Sequence, residues 1–250
     1  MRSRYPSTSS FAYSFGPGPL TPAIKALVIA NVGLFVADWI AQEALRRPLG
    51  LRPADVVEQL HLWQPFTYMF LHSGIFHILF NMLALWMFGV ELERMWGSRF
   101  FVKYYFVCGA GAALTTFVLA FTPFSFADQL YSSVTIGASG AVYGILLAYA
   151  LYFPDRPIYM YLVFPIPAKY FVMIIGAISL LSSMGGAGGG VAHTTHLGGL
   201  VAGYLYLKGG RIHLTSELKY RYLKWRINRM RRKFDVYSGG RADDVDRRVH

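Results

Sequence analysis

The chain has 250 residues, of which 54% are hydrophobic and only 15% are charged, whereas an average soluble domain has about 25% charged residues. The 19 Phe, 17 Tyr and 5 Trp exclude a disordered chain, and the single cysteine, Cys108, excludes a disulfide-stabilised secreted module. The composition predicts an integral membrane protein, and the net charge of +11 must be interpreted from where the charges lie.

The basic residues are concentrated near the C-terminal end, where 13 of the 24 Lys and Arg lie between Lys208 and Arg248. Four upstream stretches contain no Asp, Glu, Lys or Arg at all: 59–90, 104–127, 129–154 and 170–207. Several of these stretches exceed the ~20 apolar residues that a helix needs to cross a bilayer.

Pro, Gly and charged residues divide the apolar stretches into six predicted spans, at 22–42, 76–96, 100–121, 137–153, 168–184 and 191–208. An even number of spans puts both termini on one side, and that side then carries 21 Lys and Arg against 3 on the other. Basic residues favour the cytoplasmic side. We therefore expect an all-α, six-span membrane protein with cytoplasmic termini.

We expect three parts along the chain: a disordered cytoplasmic arm at 1–21, a membrane domain at 22–208 and a basic cytoplasmic tail at 209–250. In the tail, the stretch 220–233 alternates basic and apolar residues, which favours attraction to anionic lipids. RNA binding is the weaker alternative, and we expect no nucleic-acid partner.

The first outer connection, 43–75, is long and mostly apolar, which predicts that it lies in the membrane interface. Asp38 precedes it, near the outer end of the first span. A carboxylate at that position is more readily explained by contact with the interface or by helix capping than by catalysis.

The second span begins with two polar residues four apart, His77 and Asn81. Residues at this spacing share one face of a helix and can donate hydrogen bonds to a common point. An imidazole and an amide aimed at one point are the donors of an oxyanion hole. The alternative is polar contact between helices, which stabilises by ~0.6 kcal/mol on average in membranes.

The fourth span, 137–153, is short: its 17 residues reach about 25 Å against a hydrocarbon core of ~30 Å. Ser139, at its start, is therefore predicted to lie below the outer surface, in a hydrated pocket beside a helix N-terminus that favours negative charge. The alternative is that Ser139 belongs to a stripe of small residues that packs against another helix, formed by Gly137, Gly140, Ala141, Gly144 and Ala148.

The sixth span contains His193 and His196, and a histidine inside a span indicates function. Gly199 and Gly203 permit close approach to a second glycine-bearing helix, such as the one that contains Gly140 and Gly144. This approach would bring His196 to Ser139, whereas His193 is expected nearer the interface. The alternative is that the histidines cap a helix or meet lipid headgroups.

A metal site is a further alternative, in which His72, His77, His193 and His196 converge. The HExxH spacing is absent, and neither Asp, Glu nor Cys occurs in the stretches 59–90 and 170–207 that contain these histidines. We therefore expect neither a metal nor another cofactor.

Taken together, these residues resemble the rhomboid family of intramembrane serine proteases over about 63–203. The resemblance is carried by HxxxN at 77–81, GxSG at 137–140 and HxxGxxxG at 196–203. One departure is Trp63-Gln64, where many members have Trp-Arg, and it leaves open how the first outer connection is anchored.

The resemblance implies a role for each site residue. Ser139 would be the nucleophile and His196 the general base, without an acid partner. Tyr143 would pack on the imidazole, and Asn81, His77 and the backbone N–H of Ser139 would form the oxyanion site. The glycine-rich stretch 185–190 would be either a mobile cap or a simple turn.

The resemblance also implies single-span membrane proteins as substrates and a site that opens to the extracytoplasmic side. No targeting segment is recognisable in the first 20 residues, so the inner membrane of a bacterium is the expected location. The main alternative is an inactive rhomboid-fold protein that binds membrane clients, which the presence of both Ser139 and His196 disfavours. A transporter is disfavoured because the spans lack a paired carboxylate and base.

Overall fold

The structure, a computed structural model, describes residues 16–123, 126–160, 164–184 and 190–209, together with Lys224 and Arg229. The chain divides into two units, Met1–Leu207 and Lys208–His250, and nearly all of the second lies outside the described residues. Most of the predicted arm and tail, and positions 185–189 of the glycine-rich stretch, also lie outside them.

The described part of the chain is mostly helical. In chain order, its helices are α1 (Pro22–Ile40), α2 (Arg46–Leu49), α3 (Pro53–Glu58), α4 (Gln64–Thr67), a 3-10 helix (Tyr68–Phe70), α5 (Ile75–Trp96), α6 (Ser98–Leu119), α7 (Ala127–Ser132), α8 (Ser139–Tyr152), α9 (Ala168–Met184) and α10 (Gly190–Gly209). Each predicted span coincides with one of the longer helices to within a few residues.

Helices α1, α5 and α6, of 19, 22 and 22 residues, are long and apolar enough to cross a membrane. Helix α8 is also apolar but has only 14 residues, about 21 Å at 1.5 Å per residue. Gly97 lies between α5 and α6 with a φ of 78°, and this left-handed conformation, which favours glycine, allows one helix to end and the next to begin at once.

The prediction of an all-α fold did not include a short antiparallel hairpin between α8 and α9. Its strands are β1 (Pro157–Met160) and β2 (Phe164–Pro167), and Pro157 pairs with Pro167. Proline lacks a backbone N–H and is disfavoured inside a sheet. The hairpin tolerates its prolines because each strand has only one partner.

Helix α8 lies at the centre of the helical packing, where it contacts α5, α6 and α9. Several of its side chains are fully buried, among them Ala141, Ile145 and Ala148. The residue at the start of α8 is therefore held by a helix that is packed on several sides.

The Glu93 carboxylate, near the end of α5, joins α5 to the start of α1. It accepts hydrogen bonds from the backbone N–H groups of Ala23 and Ile24, at 2.9 and 3.0 Å, and from the hydroxyls of Thr21 and Ser98. A carboxylate at a helix N-terminus satisfies free N–H groups and is favoured by the helix dipole. Helix α1 is thereby fixed to the α5–α6 pair.

Candidate active site

Ser139 is the first residue of α8, directly after a turn that depends on glycine. Gly137 has a φ of 127°, a conformation that residues with a Cβ rarely adopt. A Cβ at this position would lie 2.8 Å from His77 Nε2 and 3.6 Å from Ser139 Oγ. Gly137 is thus required both by its backbone conformation and by the close approach of the His77 ring.

The segment before Ser139 is hydrogen-bonded to the first outer connection by backbone groups. Leu51 and Thr135 exchange both of their N–H to carbonyl bonds, at 2.9 and 2.8 Å, and the Gly137 N–H donates to the Tyr68 carbonyl at 2.9 Å. The outer connection therefore helps to set the position at which the chain enters α8.

Gln64 is the internal anchor of this outer connection. It is fully buried, its Oε1 accepts from the Arg52 N–H at 3.0 Å, and its Nε2 donates to the Arg47 carbonyl at 3.2 Å. Beside it, the Trp63 indole donates to the Pro48 carbonyl at 2.8 Å. A neutral amide thus ties three parts of the connection together at the position where the Trp-Arg pattern has an arginine.

His196, on α10, faces Ser139 across the interface between α8 and α10. Its Nε2 lies 2.8 Å from Ser139 Oγ, within hydrogen-bonding distance. The other ring nitrogen, Nδ1, is buried and has no hydrogen-bond partner among the residues that the structure describes. His193 lies edge-on to His196, with ring centroids 5.8 Å apart. Ser139 and His196 therefore have the geometry of a hydroxyl and a base without a third, acidic residue.

Tyr143, one turn after Ser139 on α8, stacks on the His196 imidazole. The ring centroids are 4.3 Å apart and the planes differ by only 12°. The Ser179 hydroxyl, on α9, donates to the Tyr143 hydroxyl at 3.2 Å. The stack restricts rotation of the imidazole, and Ser179 ties the tyrosine to a third helix.

The glycines of α8 and α10 lie against each other. A Cβ at Gly199 would collide with the Gly140 carbonyl, and a Cβ at Gly203 would lie 3.2 Å from the Gly144 Cα and 2.5 Å from the Tyr104 hydroxyl. These contacts leave no room for side chains between the two helices. Close approach of the backbones is what allows His196 to reach Ser139.

His77, on α5, receives two contacts from Ser73. The Ser73 N–H donates to His77 Nδ1 at 3.3 Å, and the Ser73 hydroxyl lies 3.1 Å from the same nitrogen. His72 packs edge-on to His77, with ring centroids 4.9 Å apart. His72 precedes α5, and burial, together with the nearby His77, lowers its pKa to about 4, so it is neutral at pH 7.

Asn81 is buried one turn after His77, and its Nδ2 donates to the His77 carbonyl at 2.7 Å. Within the described part of the chain, no hydrogen bond joins the Asn81 side chain to Ser139. An amide nitrogen carries two N–H groups, and the second is the donor that Asn81 can offer to a bound group.

Asp38 is engaged away from the site. It is 2% exposed and forms an ion pair with Arg46, whose Nε lies 3.0 Å from Oδ2. Across the described residues, no group of three His, Cys, Asp or Glu side chains has an arrangement that would hold a metal ion.

Two contacts of this site were not predicted from the sequence. Ser73 precedes His77 by four residues, a spacing at which side chains approach one another, but the serine itself carries no distinctive signal. Ser179 meets Tyr143 from another helix, so only the packing of α9 against α8 reveals that contact.

Comparison with known proteins identifies similar sequences. A family model described as the Rhomboid domain matches residues 59–210. The chain is 30% identical over 198 residues to Rhomboid protease AarA of Providencia stuartii, a match that covers 72% of this chain and 70% of that protein.

Two further relatives match shorter parts of their own chains. Rhomboid protease GluP of Bacillus subtilis is 35% identical over 155 residues, covering 62% of this chain and 27% of that protein. Rhomboid protein 1, mitochondrial, of Saccharomyces cerevisiae is 32% identical over 140 residues, covering 55% of this chain and 38% of that protein.

Proposed function

The chain belongs to the rhomboid family as a rhomboid-type serine protease of multi-pass membrane topology, and we propose that Ser139 and His196 are its catalytic pair. The observation that carries this assignment is the 2.8 Å separation between Ser139 Oγ and His196 Nε2. Rhomboid proteases act on membrane proteins within the bilayer, and this chain does so through acyl transfer to the serine.

In the proposed mechanism, His196 Nε2 takes the Ser139 proton as Oγ attacks a peptide carbonyl. The resulting imidazolium then gives that proton to the leaving amine, and water releases the acyl group by the same route in reverse. The unpartnered Nδ1 of His196 means that no carboxylate described in the structure stabilises the imidazolium. Its orientation depends instead on the Tyr143 stack.

The oxyanion formed by this attack is stabilised by the Ser139 N–H, the His77 Nε2–H and the second N–H of Asn81. Support for this set comes from the position of Ser139 at the start of α8, where backbone N–H groups are free, and from His77 Nε2 next to Gly137. Donors aimed at a developing charge supply the largest stabilisation in many hydrolases.

The proposed substrates are single-span membrane proteins whose N-termini lie outside the cytoplasm. A membrane helix shields its own peptide bonds by hydrogen bonding. Cleavage therefore favours segments that contain helix-weakening Gly or Pro, and a small side chain at the cut suits the close packing of α8 against α10.

We propose a six-span topology with cytoplasmic termini and a site that opens to the extracytoplasmic side. The six longer helices and the 21 to 3 distribution of Lys and Arg support it. The proposed location is a bacterial inner membrane, while the yeast relative is named as mitochondrial. The division into arm, membrane domain and tail, and the contact of the tail with anionic lipids, stay predictions.

Labelling of the detergent-solubilised protein with a fluorophosphonate probe tests the catalytic pair without knowledge of the substrate. We expect the wild type to be labelled and the variants Ser139→Ala and His196→Ala not to be. Ser132→Ala, which removes an exposed hydroxyl bonded to its own helix, is the matched control and should label like the wild type.

A folded wild-type protein that does not react would contradict the proposed mechanism. It would favour a client-binding protein that has kept Ser139 and His196 but does not activate the serine.

A further inference from the structure

Two groups of Ser73 converge on one ring nitrogen of His77. The backbone N–H donates to Nδ1 at 3.3 Å, and the hydroxyl lies 3.1 Å from the same atom. A backbone N–H can only donate, so Nδ1 must be the acceptor. A neutral imidazole carries a single proton, and that proton is then on Nε2.

The protonated nitrogen borders the space next to the nucleophile. A Cβ at Gly137 would meet both His77 Nε2, at 2.8 Å, and Ser139 Oγ, at 3.6 Å. Nε2 and Oγ therefore face the same small volume over Gly137. In one tautomer Nε2 presents a donor to an oxyanion in that volume, and in the other it presents a lone pair that repels the oxyanion.

His72 does not select the tautomer. It packs edge-on to His77, at 69° between the ring planes, but neither of its ring nitrogens has a hydrogen-bond partner among the described residues. His72 therefore restrains the ring by contact alone, and the choice of protonated nitrogen falls to Ser73.

We propose that Ser73 is a positioning residue that holds His77 in the Nε2-protonated tautomer, so that His77 donates to the oxyanion. The catalytic consequence rests on the proposed function, whereas the tautomer is a property of the folded protein that can be measured without activity. Ser73 is exposed, so its substitution leaves the packed core intact.

The kinetic test follows inactivation of the full-length protein by a fluorophosphonate probe. Ser73→Ala removes the hydroxyl, which at 3.1 Å is the nearer of the two groups at Nδ1, and leaves the backbone N–H at 3.3 Å as the single donor, so the preference for the Nε2-protonated tautomer weakens. We therefore expect a maximal inactivation rate about three- to tenfold lower. The probe concentration at half-maximal rate should not change, since Ser73 does not touch the probe. Ser73→Thr, which keeps a hydroxyl, should restore the rate, and Ser132→Ala should behave like the wild type.

A double variant separates an effect of Ser73 through His77 from a general disturbance of the structure. In a His77→Ala protein, adding Ser73→Ala should cause no further loss, because the group through which Ser73 acts is absent. An equal loss in both backgrounds would overturn the proposal. So would a full wild-type rate in the Ser73→Ala protein.

The spectroscopic test uses protein labelled with ¹⁵N in its histidine rings, with the His77 signals identified by their absence from His77→Ala. We expect an unprotonated Nδ1 and a protonated Nε2 in the wild type, and signals shifted towards a tautomer mixture in Ser73→Ala. A wild-type spectrum with a protonated Nδ1 would overturn the proposal. A wild type that does not react with the probe contradicts the proposed function instead, and the spectrum still decides the tautomer.

Discussion

At the scale of single residues, packing takes the place of an acidic partner in the proposed site. In a three-residue site the acid both orients the imidazole and stabilises its positive charge. Here the Tyr143 ring, 4.3 Å from that of His196, restricts orientation but adds no negative charge. The proposed mechanism therefore depends strongly on its oxyanion donors.

This dependence predicts a large effect for Asn81→Ala. Removing one oxyanion donor costs about a hundredfold or more in rate in a soluble protease. We expect a similar loss here in the rate of fluorophosphonate labelling, while the protein remains folded by circular dichroism. Full retention of the labelling rate would exclude Asn81 from the oxyanion site.

Asn31 provides a matched control for this variant. It is also buried, and its Nδ2 donates to the carbonyl four residues earlier, that of Leu27, at 2.8 Å. Asn31→Ala thus removes the same local hydrogen bond in α1, away from Ser139. It should affect stability without a comparable loss of labelling.

At the scale of helices and strands, the sequence predicts what depends on side-chain pattern. Apolar stretches divided at Pro, Gly and charged residues predicted the longer helices, and glycines four apart indicated the approach of α8 and α10. The contact between Leu51 and Thr135 was not predictable, because it joins backbone atoms 84 positions apart. The β1–β2 hairpin was missed because its prolines argue against strands.

The close approach of α8 and α10 predicts that Gly199→Ala is destabilising. The new methyl group would collide with the Gly140 carbonyl, and backbone atoms cannot rotate away as a side chain can. Overpacking of this kind costs about 1–3 kcal/mol. We expect a lower midpoint of thermal unfolding in detergent and slower labelling of Ser139, since His196 is displaced with its helix.

Gly33→Ala is the control for this substitution. Gly33 lies inside α1, and apart from its neighbours and the backbone of its own helix no described atom lies within 4 Å of the position that a Cβ would take, so an added methyl group meets open space. Its unfolding midpoint should match or exceed that of the wild type. Equal midpoints for Gly33→Ala and Gly199→Ala would contradict the tight contact between α8 and α10.

At the scale of the whole molecule, charge distribution and helix length together define the proposed orientation. Among the described residues, α1, α5 and α6 are both long and apolar enough to cross a membrane alone, whereas α8 spans only about 21 Å. A short helix is tolerated where it is surrounded by protein rather than by lipid, and α8 is packed against other helices in this way. The sequence predicted where the helices lie along the chain. Only their packing explains why α8, the shortest of the six longer helices, is central.

The orientation can be tested with introduced cysteines, because the natural one, Cys108, is buried. Gln59 is exposed in the first outer connection, and Asp155 is exposed between α8 and β1. In spheroplasts treated with a membrane-impermeant maleimide, we expect Gln59→Cys to be labelled before lysis and Asp155→Cys only after it. The wild type should remain unlabelled, and the reverse pattern would contradict cytoplasmic termini.

The backbone bonds between Leu51 and Thr135, and from Gly137 to Tyr68, have an evolutionary consequence. A peptide group makes the same hydrogen bond whatever side chain it carries, so these bonds restrain the path of the chain, and the identities of Leu51 and Thr135 are restricted only by the packing of their buried side chains. Substitutions that fit the same buried space can accumulate at such positions while the path is inherited intact. Lineages that share this arrangement are therefore free to diverge in the outer connection without losing the placement of the serine.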